Sequence, residues 1–359
     1  MAASLQSNGI SVLICTYNGA ARLMPTLKHL AQQVMVSDVP WEVVLVDNNS
    51  NDDTVGHSLA QWERCGSPTS LRVLRQPKPG KQFALEMAYD AASYEFMCIV
   101  DDDNWLDSEY LQRGYDLLRA NPEIGVLGGK NVGAFEVTPP AWFSYFQSSY
   151  AVGVPVAYLP EGKQQLVTGE VVKGVLWGAG LFVRHAIWRK LQQLEFKSLF
   201  TGRQGSNQLT AGEDDELCFV ARILGYKVWY DEELNCTHYM TAGRLTEQYL
   251  KRLCYAAPRA HSGLSAYNKA FSASSARYFS LMPWLKDWAY MLRWTLRDII
   301  SWRYLKSFFK PDLLTTIEVN QRIMTWYYYT IRFGTCRQKF QQVVNFRIRA
   351  QKSLRLPVG

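Results

Sequence analysis

Short, continuous apolar runs alternate with stretches of helical spacing over the first 130 residues, and this alternation limits the possible folds more than any other feature. The apolar runs lie at 10–15, 41–46, 71–74, 96–100 and 124–127. The helical stretches lie between them, at 20–32, 52–62, 81–92 and 106–118. Strands without polar alternation are buried on both faces, as in βαβ units. The sequence therefore predicts an α/β fold with a mostly parallel, Rossmann-like sheet flanked by helices.

The rest of the chain is less regular. Residues 133–173 combine Pro, Gly and many aromatics, which predicts loops around a site. The segment 201–212 is rich in Gly, Ser, Asn and Gln and is predicted as a mobile loop. A helix at 213–224 and a strand at 227–230 follow it. The Ser- and Ala-rich stretch 262–275 is predicted as a linker to a helical tail.

Charge divides the chain into two unequal parts. Residues 241–359 contain 20 Lys and Arg against 5 Asp and Glu, a net charge of +15. Residues 1–240 contain 19 basic and 27 acidic residues, a net charge of −8. We therefore expect the two parts to contact different partners.

Cysteine usage and hydropathy indicate the compartment. The seven cysteines are odd in number and none has C-x-x-C spacing, which favours reduced thiols over disulfides or a zinc site. The first residues lack the basic and apolar segments of a signal peptide. No uncharged apolar stretch reaches the roughly 18 residues of a membrane-spanning helix. These features predict a cytoplasmic protein.

Two predicted strands run directly into acidic residues. One ends at Asp47, and another ends at the run Asp101–Asp103. Ligands of open α/β sheets bind beyond the carboxyl ends of the strands, so both groups are expected at one edge. Side chains alternate along extended chain, so Asp101 and Asp103 are expected to face the same way. Three adjacent carboxylates favour a divalent cation, although helix N-capping is the alternative for a single aspartate.

A third acidic group, Glu213–Glu216, opens the helix after the predicted loop. Compensation of the helix dipole explains one or two such acids. The alternative is that Glu213, Asp214 or Asp215 acts as the general base that deprotonates an acceptor hydroxyl. The residues alone leave the choice among these three open.

Two further residues are candidates for contacts with phosphate or metal. His238 follows a predicted strand, where it is either a structural residue or a ligand to metal or diphosphate. Lys81 opens a helix after Pro79-Gly80, and helix N-termini attract phosphate. A proline turn with a solvated lysine is the alternative for Lys81.

These groups occur together in a known order. The motifs are Ile14-Cys-Thr-Tyr-Asn18, Val46-Asp-Asn-Asn-Ser50, Pro79-Gly-Lys-Gln-Phe-Ala-Leu85, Ile99-Val-Asp-Asp-Asp-Asn-Trp105, Gly178-Ala-Gly180 and Gly212-Glu-Asp-Asp-Glu-Leu217. In sequence and spacing the chain resembles family 2 glycosyltransferases of the GT-A fold, over about residues 9–252. The resemblance implies one domain with a nucleotide-sugar half and an acceptor half, before a basic, aromatic helical region. The expected bounds are 9–255 for the domain, 9–130 and 131–255 for its halves, and 262–359 for the C-terminal region.

The resemblance also implies roles for particular residues. Residues expected at the donor are Thr16, Tyr17, Asn18, Asp47, Lys81, Asp101 and Asp102, with Thr16 and Asp47 at the base and ribose. Those expected at Mg²⁺ or Mn²⁺ are Asp103, Asp101 and His238. Those expected in catalysis are Asp214, as base, and Glu213. Those expected beside the sugar and acceptor are Trp177, Gly178, Ala179 and Gly180.

The chain departs from the family pattern in a few places. Glu86 and Ala88 stand where the family usually has Asn and Gly, and Asp102 stands where a small residue is common. These departures weaken inferences about fine donor contacts. The consecutive acids Glu213, Asp214 and Asp215 leave the position of the base ambiguous.

The implied reaction is an inverting, metal-dependent transfer from a nucleotide-diphosphate sugar, with UDP foremost, to a glycan or lipid-linked acceptor in cell-surface polysaccharide synthesis. One alternative is a sugar-phosphate nucleotidyltransferase, which needs a Gly-rich basic loop after the first strand. Residues 16–19 do not provide such a loop. The other alternative is a degenerate nucleotide-sugar binder that serves as a membrane scaffold. Asp101, Asp103 and Asp214 argue against that alternative.

The tail has apolar residues at helical spacing and basic residues on another side. The apolar positions are Leu285, Trp288, Leu292, Ile299 and Trp302. Tryptophan combined with Lys and Arg suits an anionic membrane surface, so the protein is expected on the inner face of the cytoplasmic membrane. Packing on the domain, or on a second subunit in an oligomer, is the alternative. No nucleic-acid-binding motif is present.

Overall fold

The computed structural model describes residues 8–36, 38–159, 162–200, 212–272, 283–307, 309 and 312–355. The strands are β1 (Ile10–Thr16), β2 (Trp41–Asp47), β3 (Ser70–Arg75), β4 (Phe96–Asp101), β5 (Asn104–Leu106), β6 (Ile124–Phe135), β7 (Val156–Leu159), β8 (Gly162–Gln165), β9 (Gly169–Glu170), β10 (Leu181–Arg184) and β11 (Lys227–Met240). The helices are α1 (Leu23–Ala31), α2 (Thr54–Arg64), α3 (Lys81–Ala91), α4 (Tyr110–Ala120), α5 (Phe143–Phe146), α6 (His185–Gln193), α7 (Glu213–Ile223), α8 (Glu247–Ser272), α9 (Pro283–Ile299), α10 (Trp302–Ser307), α11 (Leu313–Ile331) and α12 (Phe333–Arg355).

The central sheet has the strand order β3-β2-β1-β4-β10-β6-β11-β5, and β9 pairs with β11. Strands β1 to β4 are parallel, whereas β10 and β5 run antiparallel to their neighbours. The inner strands are buried along nearly their whole length because helices cover both faces of the sheet. The predicted α/β fold, with a mostly parallel sheet flanked by helices and a helical C-terminal region, is confirmed.

The strand register brings the ends of the inner strands to one edge of the sheet. Thr16 at the end of β1 pairs with Asp47, and Cys15 pairs with Asp101. Strand β10 runs in the opposite direction and begins at this same edge, where Leu181 pairs with Ile99. The segment before β10 therefore meets the acidic ends of β2 and β4, although it is distant from them in sequence.

Three predictions about local structure were wrong. The chain turns at residues 102–103, so Asp101 and Asp103 do not lie on one extended segment, and the short strand β5 follows before the helix α4. Strand β11 continues to Met240 because its second half pairs with both β6 and β5. Helix α8 runs through Ser262–Ser272, which was predicted as a linker. The remainder of that stretch, and most of the predicted loop 201–212, lie outside the described residues.

The C-terminal helices pack against the α/β part of the chain. Phe340, Val343 and Phe346 of α12 are buried in the same core cluster as the helix α7. Tyr267 of α8 stacks on Phe219 of α7, with ring centroids 5.3 Å apart. All seven cysteines are free thiols, as predicted. In the part of the chain that the structure describes, no helix is both long and apolar enough to cross a bilayer.

Candidate functional site

The turn after β1 is fixed against the turn after β2. The backbone N–H of Asn18 donates to the Ser50 hydroxyl at 2.9 Å, and the N–H of Gly19 donates to the Thr54 hydroxyl at 2.9 Å. Asn18 adopts a left-handed conformation with φ of 50°, which Asn tolerates better than most residues. This arrangement leaves Tyr17 45% exposed at the edge of the sheet.

Asp47 does not reach the same position. It is buried, and its carboxylate accepts a hydrogen bond from the Ser50 N–H at 3.2 Å. Its neighbours Asn48 and Asn49 line the central cavity, whereas Asp47 is not among the residues that line it. A direct contact between Asp47 and the donor therefore stays a prediction.

The first two residues of the aspartate cluster, Asp101–Asp103, each pair with a cation. Lys81 Nζ lies 2.6 Å from an Asp101 carboxylate oxygen. Arg22 Nη2 lies 2.9 Å from the Asp102 carboxylate, which also accepts a hydrogen bond from the Thr16 hydroxyl at 2.7 Å. Burial raises the pKa of the Asp102 carboxyl, and the positive charge of Arg22 opposes this shift. Asp102 therefore joins the turn after β4 to the segment after β1. Its place at the donor stays a prediction.

Asp103 pairs with a third cation. The Asp103 residue is only 3% exposed, and Arg244 Nη2 lies 2.8 Å from one of its carboxylate oxygens. His238 Nε2 lies 3.5 Å from the other carboxylate oxygen and 3.1 Å from Arg244 Nη1. Burial alone would lower the pKa of the Arg244 guanidinium, but the Asp103 carboxylate raises it above its ordinary value.

The surroundings of Asp103 fit a divalent cation. A buried carboxylate and an imidazole nitrogen already face one positive group, the Arg244 guanidinium, and both are ligand types that metals accept in proteins. The buried Nδ1 of His238 has no hydrogen-bond partner in the described part of the chain. Among the described residues, no group of three or more His, Cys, Asp and Glu side chains is arranged to hold a metal ion. The predicted ligand set of Asp101, Asp103 and His238 is therefore not preassembled.

The acidic run, Glu213–Glu216, forms the first turn of α7, and hydrogen bonds orient its members. The Asp214 carboxylate accepts a hydrogen bond from the Gly178 N–H at 2.9 Å. A Cβ at Gly178 would lie 2.4 Å from an Asp214 carboxylate oxygen, so only glycine permits this approach. The Glu216 carboxylate accepts hydrogen bonds from the Leu199 N–H at 2.9 Å and the Tyr267 hydroxyl at 2.7 Å. The run is therefore connected both to the segment before β10 and to α8.

Burial changes the protonation of the acidic run. It raises the pKa of Asp215 to about 7, and the negative charges of Asp214 and Glu213 add to this shift. It also raises the pKa of Glu216 to about 7, against the opposing effect of its hydrogen bonds. Two carboxyl groups beside Asp214 thus titrate near neutral pH.

The segment before β10 forms one wall of the site. Trp177, Gly178 and Ala179, which were predicted to lie beside the sugar and acceptor, line the central cavity. Gly180 is not among the lining residues. It has a φ of +74°, and its carbonyl accepts a hydrogen bond from the buried Tyr110 hydroxyl at 2.7 Å. Gly180 therefore shapes the turn into β10.

A single cavity of about 1920 Å³ connects these groups. The predicted residues that line it are Thr16, Tyr17, Asn18, Lys81, Asp101, Asp102, Asp103, Trp177, Gly178, Ala179, Glu213, Asp214 and His238. It continues along α5, α8 and α11, where further lining residues are Tyr145, Tyr150, Tyr249, Arg252, Glu318 and Gln321. The aspartate cluster and the acidic run therefore share one cavity, which also extends to the C-terminal helices.

Sequence reasoning missed Arg22 and Arg244, the cations that pair with Asp102 and Asp103. Each lies in a short segment between regular elements, where a basic residue has no distinctive pattern. The sequence signal for Arg244 was its position six residues after His238, in a stretch already proposed to contact metal or diphosphate. Isolated arginines are common, so this spacing alone could not identify the pair.

Comparisons with known proteins agree with this geometry. Residues 11–187 match the family described as Glycosyl transferase family 2. Chondroitin synthase from Escherichia coli is 27% identical over 123 residues, which cover 34% of this chain and 17% of that protein. The chain thus matches less than a fifth of the length of this relative.

Two solved structures resemble the whole chain. TarS of S. aureus is 18% identical, with a TM-score of 0.45, and the match covers 96% of this chain and 91% of that chain. The mannosyltransferase PcManGT from Pyrobaculum calidifontis, solved in complex with GDP-Man and Mn²⁺, is 14% identical with a TM-score of 0.48. That match covers 96% of this chain and 86% of the mannosyltransferase.

The family match includes the turn after β1, the aspartate cluster and the segment before β10, whereas Asp214 and His238 lie beyond it. The matched residues are thus those that form the sheet edge and one side of the central cavity. Residues 11–187 therefore form a glycosyltransferase family 2 domain.

Proposed function

We propose that this enzyme transfers a sugar, with inversion, from a nucleotide-diphosphate donor to an acceptor hydroxyl, and that the donor is a UDP-sugar. The observation that carries the proposal is the shared cavity: Asp101–Asp103 lie in it together with Asp214, which a backbone amide holds in place. An anionic donor and a carboxylate base can therefore act on one substrate pair.

The donor half of the cavity is suited to a nucleotide diphosphate. Thr16, Tyr17 and Asn18 form the turn next to it, where the base and ribose would lie. Lys81 is the first residue of α3, so its ammonium group and the helix N-terminus both attract phosphate. The Lys81 ammonium now pairs with Asp101, and we expect it to contact the diphosphate when donor is present.

Asp103 and His238 would hold a divalent cation, Mg²⁺ or Mn²⁺, and Asp101 would approach it as Lys81 turns to phosphate. Such a cation supplies positive charge that stabilises the departing diphosphate. Hard cations of this kind favour carboxylate oxygen ligands.

Asp214 is the proposed base. Its carboxylate lines the cavity, and the Gly178 N–H fixes its orientation, so one oxygen can accept the proton of an acceptor hydroxyl. Removal of this proton allows the oxygen to attack the anomeric carbon opposite the diphosphate, which inverts the configuration. Asp214 is therefore the better candidate on geometry.

The experiment measures hydrolysis of UDP-, GDP- and dTDP-sugars with Mn²⁺ or Mg²⁺, which requires no knowledge of the acceptor. We expect Asp214→Asn to bind UDP with unchanged affinity but to hydrolyse donor at least ~100-fold more slowly, the scale of lost base catalysis. Asp116→Asn, an exposed aspartate on α4, is the matched control and should behave as wild type.

Two results would contradict the proposal in different ways. A wild-type protein that neither binds nucleoside diphosphates nor hydrolyses any of the donors with either metal would refute donor use. Near-normal hydrolysis by Asp214→Asn would refute only its role as base, and the same assay on Asp215→Asn and Glu213→Gln would then locate the base.

The acceptor is proposed to enter from the C-terminal side. Ligand pockets usually measure about 300–1,000 Å³, so a cavity of about 1920 Å³ can accommodate an extended acceptor as well as the donor. Its far wall combines Tyr150 and Tyr249 with polar groups of α11, Glu318 and Gln321. Rings and polar groups of this kind suit a glycan or lipid-linked acceptor of a cell-surface polysaccharide.

The C-terminal region is proposed to attach the enzyme to an anionic membrane surface, on its cytoplasmic side. Several apolar residues at the end of α9 and after it are exposed, with Ile300 73%, Trp302 76% and Phe309 91% exposed. Arg297, which is near them in sequence, is itself largely exposed. By contrast, Trp288 of the predicted stripe is half-buried and donates a hydrogen bond to the Thr330 hydroxyl of α11.

Vesicle flotation tests this attachment. We expect the variant with Ile300, Trp302 and Phe309 all changed to Ser to lose at least ~10-fold in affinity for vesicles containing phosphatidylglycerol, because apolar burial is lost. A variant with Leu59 and Val167 changed to Ser removes exposed apolar residues elsewhere and serves as control. Equal binding by all three proteins would contradict membrane attachment through this surface. Truncation is unsuitable because α12 belongs to the core.

A further inference from the structure

We propose that Arg244 neutralises Asp103 while the donor is absent and moves to the donor's diphosphate when a divalent cation binds at Asp103 and His238. This inference rests on the proposed metal-dependent transfer. It adds a residue that positions the donor.

The first step of the argument is the burial of Asp103. The carboxylate is almost fully removed from water, and a charge in such a position is stable only when it is paired. Arg244 provides this pairing at 2.8 Å, and its second terminal nitrogen lies 3.1 Å from His238 Nε2. The guanidinium therefore lies between the two side chains proposed to hold the metal.

The second step is that two cations cannot share this place. A divalent ion bound to Asp103 and His238 would lie within a few ångströms of the guanidinium, where like charges repel strongly in a site shielded from water. Binding of the metal therefore requires that Arg244 leave Asp103. Conversely, departure of Arg244 without a replacement would leave the buried carboxylate unpaired.

The third step concerns where the guanidinium can go. Arg244 belongs to a short 3₁₀ turn, Ala242–Leu245, between β11 and α8, and its side chain is 22% exposed and lines the cavity. The backbone of the turn is anchored, because the Ala242 N–H donates to the Glu136 carboxylate at 2.6 Å. The side chain can therefore turn into the cavity while the backbone stays in place.

Diphosphate is the partner that suits the displaced guanidinium. An arginine fork matches two oxygens of a phosphate group, and such charge-assisted hydrogen bonds are stronger than neutral ones. If the donor's diphosphate bound the metal, its phosphate oxygens would lie near Asp103. Arg244 therefore exchanges the Asp103 carboxylate for the diphosphate within the same cavity.

A neighbouring hydroxyl supports this movement. Tyr150 lines the cavity and is 5% exposed, and its hydroxyl has no hydrogen-bond partner among the residues that the structure describes. Burial raises the pKa of this hydroxyl, while the nearby charge of Arg244 lowers it. The unsatisfied oxygen of Tyr150 thus offers the guanidinium an acceptor once it leaves Asp103.

The test measures binding of Mn²⁺ alone by electron paramagnetic resonance, and binding of UDP with saturating Mn²⁺ by calorimetry. We expect Arg244→Gln to bind Mn²⁺ alone at least ~5-fold more tightly, because the competing cation is gone. The same variant should bind UDP with Mn²⁺ at least ~10-fold more weakly, the loss expected for one charge-assisted hydrogen bond. Arg244→Lys, which retains the charge but not the fork, should bind Mn²⁺ nearly as wild type and UDP with intermediate affinity.

Arg113→Gln is the matched control, because Arg113 pairs with the buried Asp231 at 2.9 Å, and neither residue lines the cavity. It should lower stability without changing either affinity. Unchanged affinities in Arg244→Gln, or a parallel loss of both, would overturn the inference while leaving donor use intact. Wild-type UDP binding that is equal with Mn²⁺ and with EDTA would instead refute the metal-dependent function, and this inference with it.

Discussion

The two acidic groups of the cavity, the aspartate cluster and the acidic run, have similar sequences but different bonding partners. In the aspartate cluster, each carboxylate pairs with a cation from a different part of the chain: Lys81, Arg22 and Arg244. In the acidic run, hydrogen bonds from backbone amides and hydroxyls hold Asp214 and Glu216. Among the contacts of the described residues, ion pairs hold the first group, whereas backbone amides and hydroxyls orient Asp214 and Glu216 in the second.

This difference indicates a division of labour. A carboxylate that is already matched to a cation can exchange that cation for another, which suits the binding of metal and diphosphate. A desolvated carboxylate has a raised pKa, as Asp215 and Glu216 show, and a group that titrates near neutral pH suits proton transfer. The surroundings of two similar runs of acidic residues thus give them different chemical properties.

Among the substitutions that test this difference, Gly178→Ala is expected to have the largest effect on donor hydrolysis. The added Cβ would lie within 2.4–2.6 Å of all three atoms of the Asp214 carboxylate group, so this group must move. We expect donor hydrolysis to fall at least ~100-fold, as for loss of the base. UDP affinity should be unchanged because the substitution does not disturb the aspartate cluster.

Gly334→Ala is the matched control for this substitution, since a Cβ at Gly334 would meet nothing within 4 Å. It should hydrolyse donor at the wild-type rate. If Gly178→Ala also retained wild-type hydrolysis, orientation of Asp214 by the segment before β10 would not matter for the chemistry, and the contrast between the two groups would lose its functional meaning.

A smaller effect is expected in the pH dependence of stability. The folded-state pKa of Asp215 is about 7, well above the value of about 3.9 for an unfolded chain. Between these values the folded state retains a proton that the unfolded state has lost, so the free energy of unfolding falls as pH rises from about 4 to about 7. This contribution is at most about 1.4 kcal/mol per pH unit, and Asp215→Asn should remove it.

Urea unfolding at pH 5, 6, 7 and 8 measures this slope. Glu216 acts in the same direction, so Asp215→Asn should reduce the slope rather than abolish it. Asp116→Asn should leave the slope as in wild type. A slope that Asp215→Asn does not alter would show that this carboxyl is not desolvated. The difference proposed between the acidic run and the aspartate cluster would then be contradicted.

The sequence predicted the first strands and helices well because their apolar runs report burial directly. It missed β5 because three residues, Asn104–Leu106, carry no measurable periodicity. It placed a linker in α8 because Ser and Ala there resemble a loop, although Ala266 and Ala270 are buried in the core. Such segments owe their structure to tertiary packing, which local pattern does not report.

The candidate site shows the same limit. The positions of the acids could be predicted because they follow strands or open a helix. Their partners could not, because Arg22 and Arg244 reach Asp102 and Asp103 across long stretches of chain. The roles of Asp101, Asp103, Asp214 and His238 stay predictions until binding and kinetics are measured.

The hydrogen bond between Tyr267 and Glu216 has a practical consequence for protein engineering. Because α8 contributes both this hydroxyl and the ring that covers Phe219, the helix with the proposed base is partly built by the C-terminal region. Chimeras that graft a foreign tail after β11 would expose a buried acid and an aromatic face. Point substitutions are therefore a safer route to engineered variants of this protein than exchange of whole segments.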